Sequence, residues 1–87
     1  TGALAIARGL RAANEAFASG ERDPRVLEAL ARAPVEAVFD SIDYVDARDP
    51  DSLAALTAPS DDVVVLVAAR LGTTRLIDNA VLGDDVV

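Results

Sequence analysis

The chain has 87 residues, 52% of them hydrophobic, a composition typical of one compact folded domain. Its formal net charge is −7, which argues against nucleic-acid binding, because that function depends on clustered basic side chains that neutralise phosphates. Cysteine, histidine and lysine are all missing, so the chain lacks the commonest catalytic nucleophiles and bases and is by itself a poor candidate for an enzyme.

The first predicted element is an amphipathic helix. Its apolar residues recur at spacings of three and four and form one stripe: Ala3, Ile6, Leu10, Ala13 and Phe17. Gly20 is a natural stop for this helix. No capping residue precedes the stripe, so we expect that the chain begins inside a longer polypeptide.

The second predicted helix starts at an Asp-Pro pair. Asp23 suits the N-cap, and Pro24 suits the first helical position, where its missing N–H costs nothing. We expect Glu28 and Arg32 to pair on the exposed side and Pro34 to end the helix. The predicted apolar face consists of Val26, Leu27, Leu30 and Ala33.

The rest of the chain predicts a small antiparallel sheet. Residues 39–48 alternate as a strand does, with Ile42 and Tyr44 expected on one face, and Asp49 is expected to cap a short helix through Leu56. Two apolar runs then meet at Gly72 as a hairpin. The expected fold is one α+β domain over residues 1–87, with the order α-α-β-α-β-β and the helices on one face of about three strands.

The run at residues 63–69 is apolar on both sides of the predicted strand. Strands of this kind are covered on both faces, and two or three short helices can cover only one. We therefore expect a partner on the other face, in the form of another domain or of self-association through the exposed sheet face. The same run is far too short to cross a bilayer, and no targeting segment is recognisable, so we expect a cytoplasmic protein that does not bind membranes.

Most polar residues have an ordinary structural interpretation. The carboxylates between residues 46 and 51 lack the glycine and the distal glutamate of a calcium loop, so no metal site is expected there. Asp84 and Asp85 are ordinary for a terminus. Tyr44 is expected to pack in a half-buried strand.

Arg70 and Arg75 are the more informative pair. If Gly72 and Thr73 form a two-residue turn, the two arginines lie directly opposite each other on one face, where like charges repel. Either a counter-charge therefore lies between them, or the loop is one residue longer and the register differs. The counter-charge could be Asp78, an acidic residue of another domain, or a bound anion, since arginine suits both carboxylate and phosphate.

The segment AARLGTTRLIDN, preceded by IDYVDARDPDSL and a pair of amphipathic helices, resembles the C-terminal domain of the pantothenate synthetase (pantoate–β-alanine ligase) family. The resemblance covers residues 3–82. It implies a lid over an N-terminal nucleotide-binding domain, in an enzyme that uses ATP and Mg²⁺ to adenylate pantoate before β-alanine displaces AMP. The family's histidine motif and its second ATP-binding loop have no counterpart here, so no catalytic residue is implied and the chain alone is expected to be inactive. The alternative is a stand-alone acidic interaction module without catalysis.

Overall fold

A computed structural model describes residues 2–83, which form two helices followed by three strands. Helix α1 spans Gly2–Ala18 and helix α2 spans Pro24–Val38. Strands β1 (Ser41–Arg48), β2 (Val64–Leu71) and β3 (Thr74–Val81) form one antiparallel sheet in the order β1-β2-β3. The α+β prediction is confirmed, and the observed order is α-α-β-β-β. Thr1 and the predicted terminal carboxylates Asp84 and Asp85 lie outside the described residues.

Local hydrogen bonds explain where the helices begin and end. The carboxylate of Asp23 accepts the N–H of Arg25 at 2.9 Å, so the predicted N-cap of α2 is confirmed. Helix α1 ends with Gly20 N–H bonded to the Phe17 carbonyl and Glu21 N–H bonded to the Ala16 carbonyl. This pair of bonds is the Schellman pattern of a helix C-terminus. Both boundaries follow from short sequence signals.

The two helices pack closely against each other at Gly9. A Cβ atom placed on Gly9 would lie 2.1 Å from the backbone oxygen of Ala31, so only glycine fits at this crossing. The core side of α1 matches the predicted stripe from Ile6 to Phe17, whereas Ala3 is exposed.

Two expectations for α2 were wrong. Pro34 does not end the helix, which continues to Val38. Val35 is fully buried and Phe39 is 8% exposed, and this burial beyond Pro34 offsets the missing hydrogen bond. The buried face is rotated from the predicted one and consists of Pro24, Leu27, Ala31 and Val35.

The expected ion pair between Glu28 and Arg32 also does not form. Arg32 bonds Glu36 at 2.9 Å instead, and the Glu28 carboxylate accepts the N–H of Ala47 from β1 at 2.8 Å. Glu28 therefore ties α2 to the sheet rather than supporting its own helix.

The predicted helix from Asp49 to Leu56 is also wrong. Asp49 caps a single turn instead, accepting the N–H groups of Asp51 and Ser52, and the chain then leaves helical geometry at Leu53, which has a φ of 62°. The segment folds back along β1, where Leu56 N–H bonds the Ala47 carbonyl. An Asp-Pro pair provides local capping hydrogen bonds, which can stabilise a single turn as well as the start of a helix.

The central strand is covered on both sides within the chain itself. Val63, Val65, Val67 and Ala69 belong to the core under the helices, as their alternation predicted. On the opposite face Val64 and Ala68 are also buried, at 5% and 0% exposure. The register places larger side chains beside them, since Tyr44 and Ile77 flank Ala68. Within the sheet, the large hydrophobic residues that remain exposed are both on β3: Ile77, which is 59% exposed, and Val81.

Candidate functional site

The two arginines of the hairpin lie where the sequence places them. Arg70 and Arg75 are directly opposite partners in the register of β2 and β3, joined by the two-residue turn at Gly72 and Thr73. Gly72 has a φ of 62°, as the first central residue of a type II′ hairpin turn requires. The two-residue turn therefore places these two like-charged side chains opposite each other, as the sequence predicts.

The counter-charge is Asp43, a residue that the sequence analysis missed. Its two carboxylate oxygens accept the Nε–H groups of the two arginines, at 3.3 Å from Arg70 and 2.7 Å from Arg75. A single carboxylate therefore bridges both guanidinium groups. The hydrogen bond from Arg75 is the largest cause that lowers the pKa of Asp43 below its usual 3.8, desolvation opposes it, and Arg70 lowers the pKa further.

A bulge in β1 places the Asp43 carboxylate beside the two arginines. The register shifts between Ile42 and Tyr44, so that Ile42 pairs with Ala69 and Tyr44 with Ala68, leaving Asp43 without an opposite residue. Ile42 consequently packs against the core whereas Tyr44 does not, and the expectation that they share a face was wrong. A bulge adds one residue to one strand and changes which face the following side chains take. Tyr44 is half-buried, in agreement with a packing role.

A second carboxylate holds the same end of the hairpin. The Asp40 carboxylate accepts the N–H of Gly72 at 2.7 Å, and the Asp40 N–H donates to the Arg70 carbonyl at 2.9 Å. The hairpin is thus fastened to the connection between α2 and β1 by Asp40, and to β1 itself by Asp43. Asp78, one of the expected counter-charges, instead accepts the N–H of its neighbour Asn79 at 2.8 Å.

Two further acidic residues, Asp46 and Asp49, have partners close by in the sequence. Asp46 pairs with Arg48 at 2.7 Å, and backbone hydrogen bonds from Ser52 and then Asp51 lower the pKa of Asp49 below its usual 3.8. Within residues 2–83 there is no group of three or more His, Cys, Asp or Glu side chains that could hold a metal ion. No helix in the described part is long and apolar enough to cross a membrane.

An open groove lies between α1 and β3, with a volume of about 520 Å³. Its sides combine apolar and charged residues: Ala7, Leu10, Arg11, Asn14, Glu15, Asp78 and Ala80. Neither this groove nor the arginine pair contains a nucleophile beside a general base.

Comparison with known proteins identifies the family. The sequence profile described as pantoate-beta-alanine ligase matches residues 1–81. The chain is 48% identical over 77 residues to pantothenate synthetase of Anaeromyxobacter dehalogenans, covering 88% of this chain and 27% of that protein. It is 52% identical over 80 residues to pantothenate synthetase 1 of Bradyrhizobium diazoefficiens, covering 91% and 28%. A crystal structure of the Thermus thermophilus enzyme superposes with a TM-score of 0.76 at 27% identity, covering 87% and 28%.

Proposed function

The chain belongs to the pantoate–β-alanine ligase family, and we propose that it is the C-terminal lid domain of a pantothenate synthetase. One observation carries this proposal: the chain aligns over 88–91% of its own length but spans only 27–28% of these relatives. A piece of that size corresponds to one domain of a larger ligase.

The proposed role of this domain is to close over the reaction site of the rest of the enzyme. That enzyme would join pantoate to β-alanine with ATP and Mg²⁺, and the acyl adenylate formed on the way would hydrolyse if water reached it. A lid that excludes water protects such an intermediate. We expect the chain alone to form no pantothenate.

The contacts within the domain support a lid that moves as a rigid unit. The helices are locked together at Gly9, and Glu28 fastens α2 to β1. At the other end of the sheet, Asp40 fastens the hairpin to the α2–β1 connection, and Asp43 fastens it to β1. The residues present do not fit a magnesium site, because the described carboxylates form no group of three that could hold a metal ion. We therefore assign ATP and Mg²⁺ binding to the remainder of the enzyme.

A domain exchange tests the proposal. The matching 80-residue segment of the Bradyrhizobium diazoefficiens enzyme is either deleted or replaced by this chain, and AMP and pantothenate are measured together. Deletion is expected to raise the ratio of AMP to pantothenate, because unprotected adenylate hydrolyses, and replacement is expected to return the ratio to near one. A deletion that leaves one pantothenate per AMP contradicts a lid.

The isolated chain provides the control for this experiment. Titration calorimetry with ATP or pantoate is expected to show no binding to it. Tight binding of either ligand would place the substrate site in this chain and contradict the assignment. If the chain exchanged into the enzyme folds but supports no coupling, the alternative of an independent interaction module gains support.

A further inference from the structure

Residues 49–56 run along the outer edge of β1, and we call this segment the β1 strap. The N–H of Leu56 bonds the Ala47 carbonyl at 3.1 Å, and Arg48 forms an isolated antiparallel bridge with Ala55. A loop that covers an edge strand protects backbone groups that would otherwise be unpaired. The strap therefore decides whether this part of the β1 edge is accessible.

The strap contributes little apolar surface to the core. Residues 51–55 are exposed, and Leu56 packs against the core but is only partly buried. Most hydrogen bonds of the strap are internal, such as those from Leu53 N–H to the Asp49 carbonyl at 2.8 Å and from Asp49 N–H to the Ala54 carbonyl at 2.9 Å. Segments with few buried apolar contacts and exposed backbone hydrogen bonds open locally more easily than the core does.

Leu53 holds the attached strap in a strained backbone conformation. Its φ is 62°, and it is the one residue other than glycine with a positive φ in the described chain. The left-handed region brings Cβ close to the following carbonyl oxygen, so it favours glycine and disfavours leucine. Leu53 is also 50% exposed, so burial of its side chain offsets little of this strain.

A second cost of the attached strap lies at Arg48. This side chain donates from Nη1 to the Leu53 carbonyl at 3.2 Å and from Nη2 to Asp46 at 2.7 Å. Its Nε–H is buried and has no hydrogen-bond partner among the described residues. A buried donor of this kind has lost its hydration and has gained no bond in exchange. The strap therefore stays attached at the cost of one unpaired donor as well as one strained residue.

We propose that the β1 strap is a conformational switch, which detaches from β1 while the helices and the sheet stay folded. In the attached state Leu53 keeps its positive φ and the Nε–H of Arg48 is unpaired. In the detached state Leu53 returns to an ordinary backbone conformation, and water reaches Arg48 Nε–H. Detachment also breaks the hydrogen bond between Leu56 and Ala47, so it uncovers the Ala47 carbonyl at the edge of β1.

The other attachments of β1 do not depend on the strap. The Glu28 carboxylate accepts the N–H of Ala47 from α2, and β1 is paired with β2 from Ser41 to Arg48. Detachment is therefore local to residues 49–56, and it leaves intact the contacts that join the helices to the sheet.

Hydrogen exchange of single backbone amides, followed by NMR on the whole chain, tests whether detachment is local. The N–H of Val67 lies in the fully buried part of the central strand and reports opening of the core. The N–H of Leu56 is expected to be at least about tenfold less protected, because detachment of the strap releases it without unfolding of the sheet. Equal protection of the two amides would show that the strap opens only with the whole domain, and it would overturn the proposal.

Two substitutions at Leu53 separate backbone strain from side-chain contacts. Leu53→Gly removes the strain, so it is expected to raise the protection of the Leu56 N–H about fivefold. Leu53→Ala is the matched control, because it removes the side chain beyond Cβ but keeps the strained backbone. Its protection is expected to stay within about twofold of the wild type. The same change in both variants would mean that strain at Leu53 does not drive detachment.

The Nε–H of Arg48 provides an independent measurement of the same event. If detachment admits water to this group, Leu53→Gly slows its exchange by the same factor as that of the Leu56 N–H. A change at Leu56 without a change at Arg48 contradicts a single switch. Neither measurement uses substrate, so the outcome is independent of the lid assignment.

Discussion

Replacing Gly9 with alanine tests how closely the two helices approach. At an open helical site the change from glycine to alanine stabilises a protein by about 1 kcal/mol through backbone propensity. Here the new Cβ would meet the Ala31 oxygen at 2.1 Å and the Ala31 carbonyl carbon at 3.0 Å. Both are backbone atoms of α2, so no side-chain rotation relieves the contact, and the helices must separate by more than about 1 Å for ordinary van der Waals contact.

The expected result is a net loss of stability. Overpacking of a core costs about 1–3 kcal/mol, and a backbone obstacle places Gly9→Ala at the upper end, so about 2 kcal/mol remains after the gain in propensity. For a domain of this size the melting temperature should fall by about 8–16 °C. Thermal denaturation followed by circular dichroism measures this change. Ala7→Gly at an exposed position of α1 reports propensity alone, and a Gly9→Ala variant that melts above the wild type would refute the close crossing.

Three further variants examine the caps and the arginine pair. Asp43→Ala should lower the melting temperature because it leaves Arg70 facing another arginine without a counter-charge; adding Arg70→Thr should restore part of the loss, and no recovery would mean that repulsion is unimportant. Asp43 and Asp49 have lowered pKa values in the folded state. Their contribution to the stability of the folded state is therefore complete above about pH 5, and it is lost as the pH falls below the usual pKa of 3.8 and through the folded pKa. Melting curves from pH 3 to 7 should therefore differ between wild type and Asp49→Asn near neutral pH and converge in acid. Asp23→Ala should cost about 1 kcal/mol, measured by urea denaturation, whereas Asp51→Ala, whose side chain caps no helix, should cost much less.

The arginine pair illustrates how far a site can be read from sequence. The turn at Gly72 fixes the partners Arg70 and Arg75, and the need for a counter-charge follows from their proximity. The identity of the counter-charge does not follow, because Asp43 reaches the pair only through a bulge far along the chain. A bound anion remains a proposal without a specific observation in its favour, since Asp43 already bonds both guanidinium groups.

The apolar surface shows the same division. Alternation in residues 63–69 correctly indicated a strand that is buried on both faces, but the cover expected for the outer face was another domain or a second copy, whereas Val64 and Ala68 are already buried within the chain. Neighbouring strands cover Val64 and Ala68, and the exposed apolar area moves to Ile77 on the edge strand. Strand order, which no local pattern specifies, decides where a partner could pack.

The sequence by itself determined the features that depend on neighbouring residues. These are the N-cap at Asp23, the end of α1 at Gly20 and the hairpin turn at Gly72, because each is a set of hydrogen bonds or a backbone angle confined to a few positions.

Only the tertiary structure decided the continuation of α2 past Pro34, the single turn after Asp49 and the bulge at Asp43. In each case a contact from a distant segment outweighed a local preference of about 1–3 kcal/mol: core burial at Val35, the strand beside Leu56, and the arginines across the sheet.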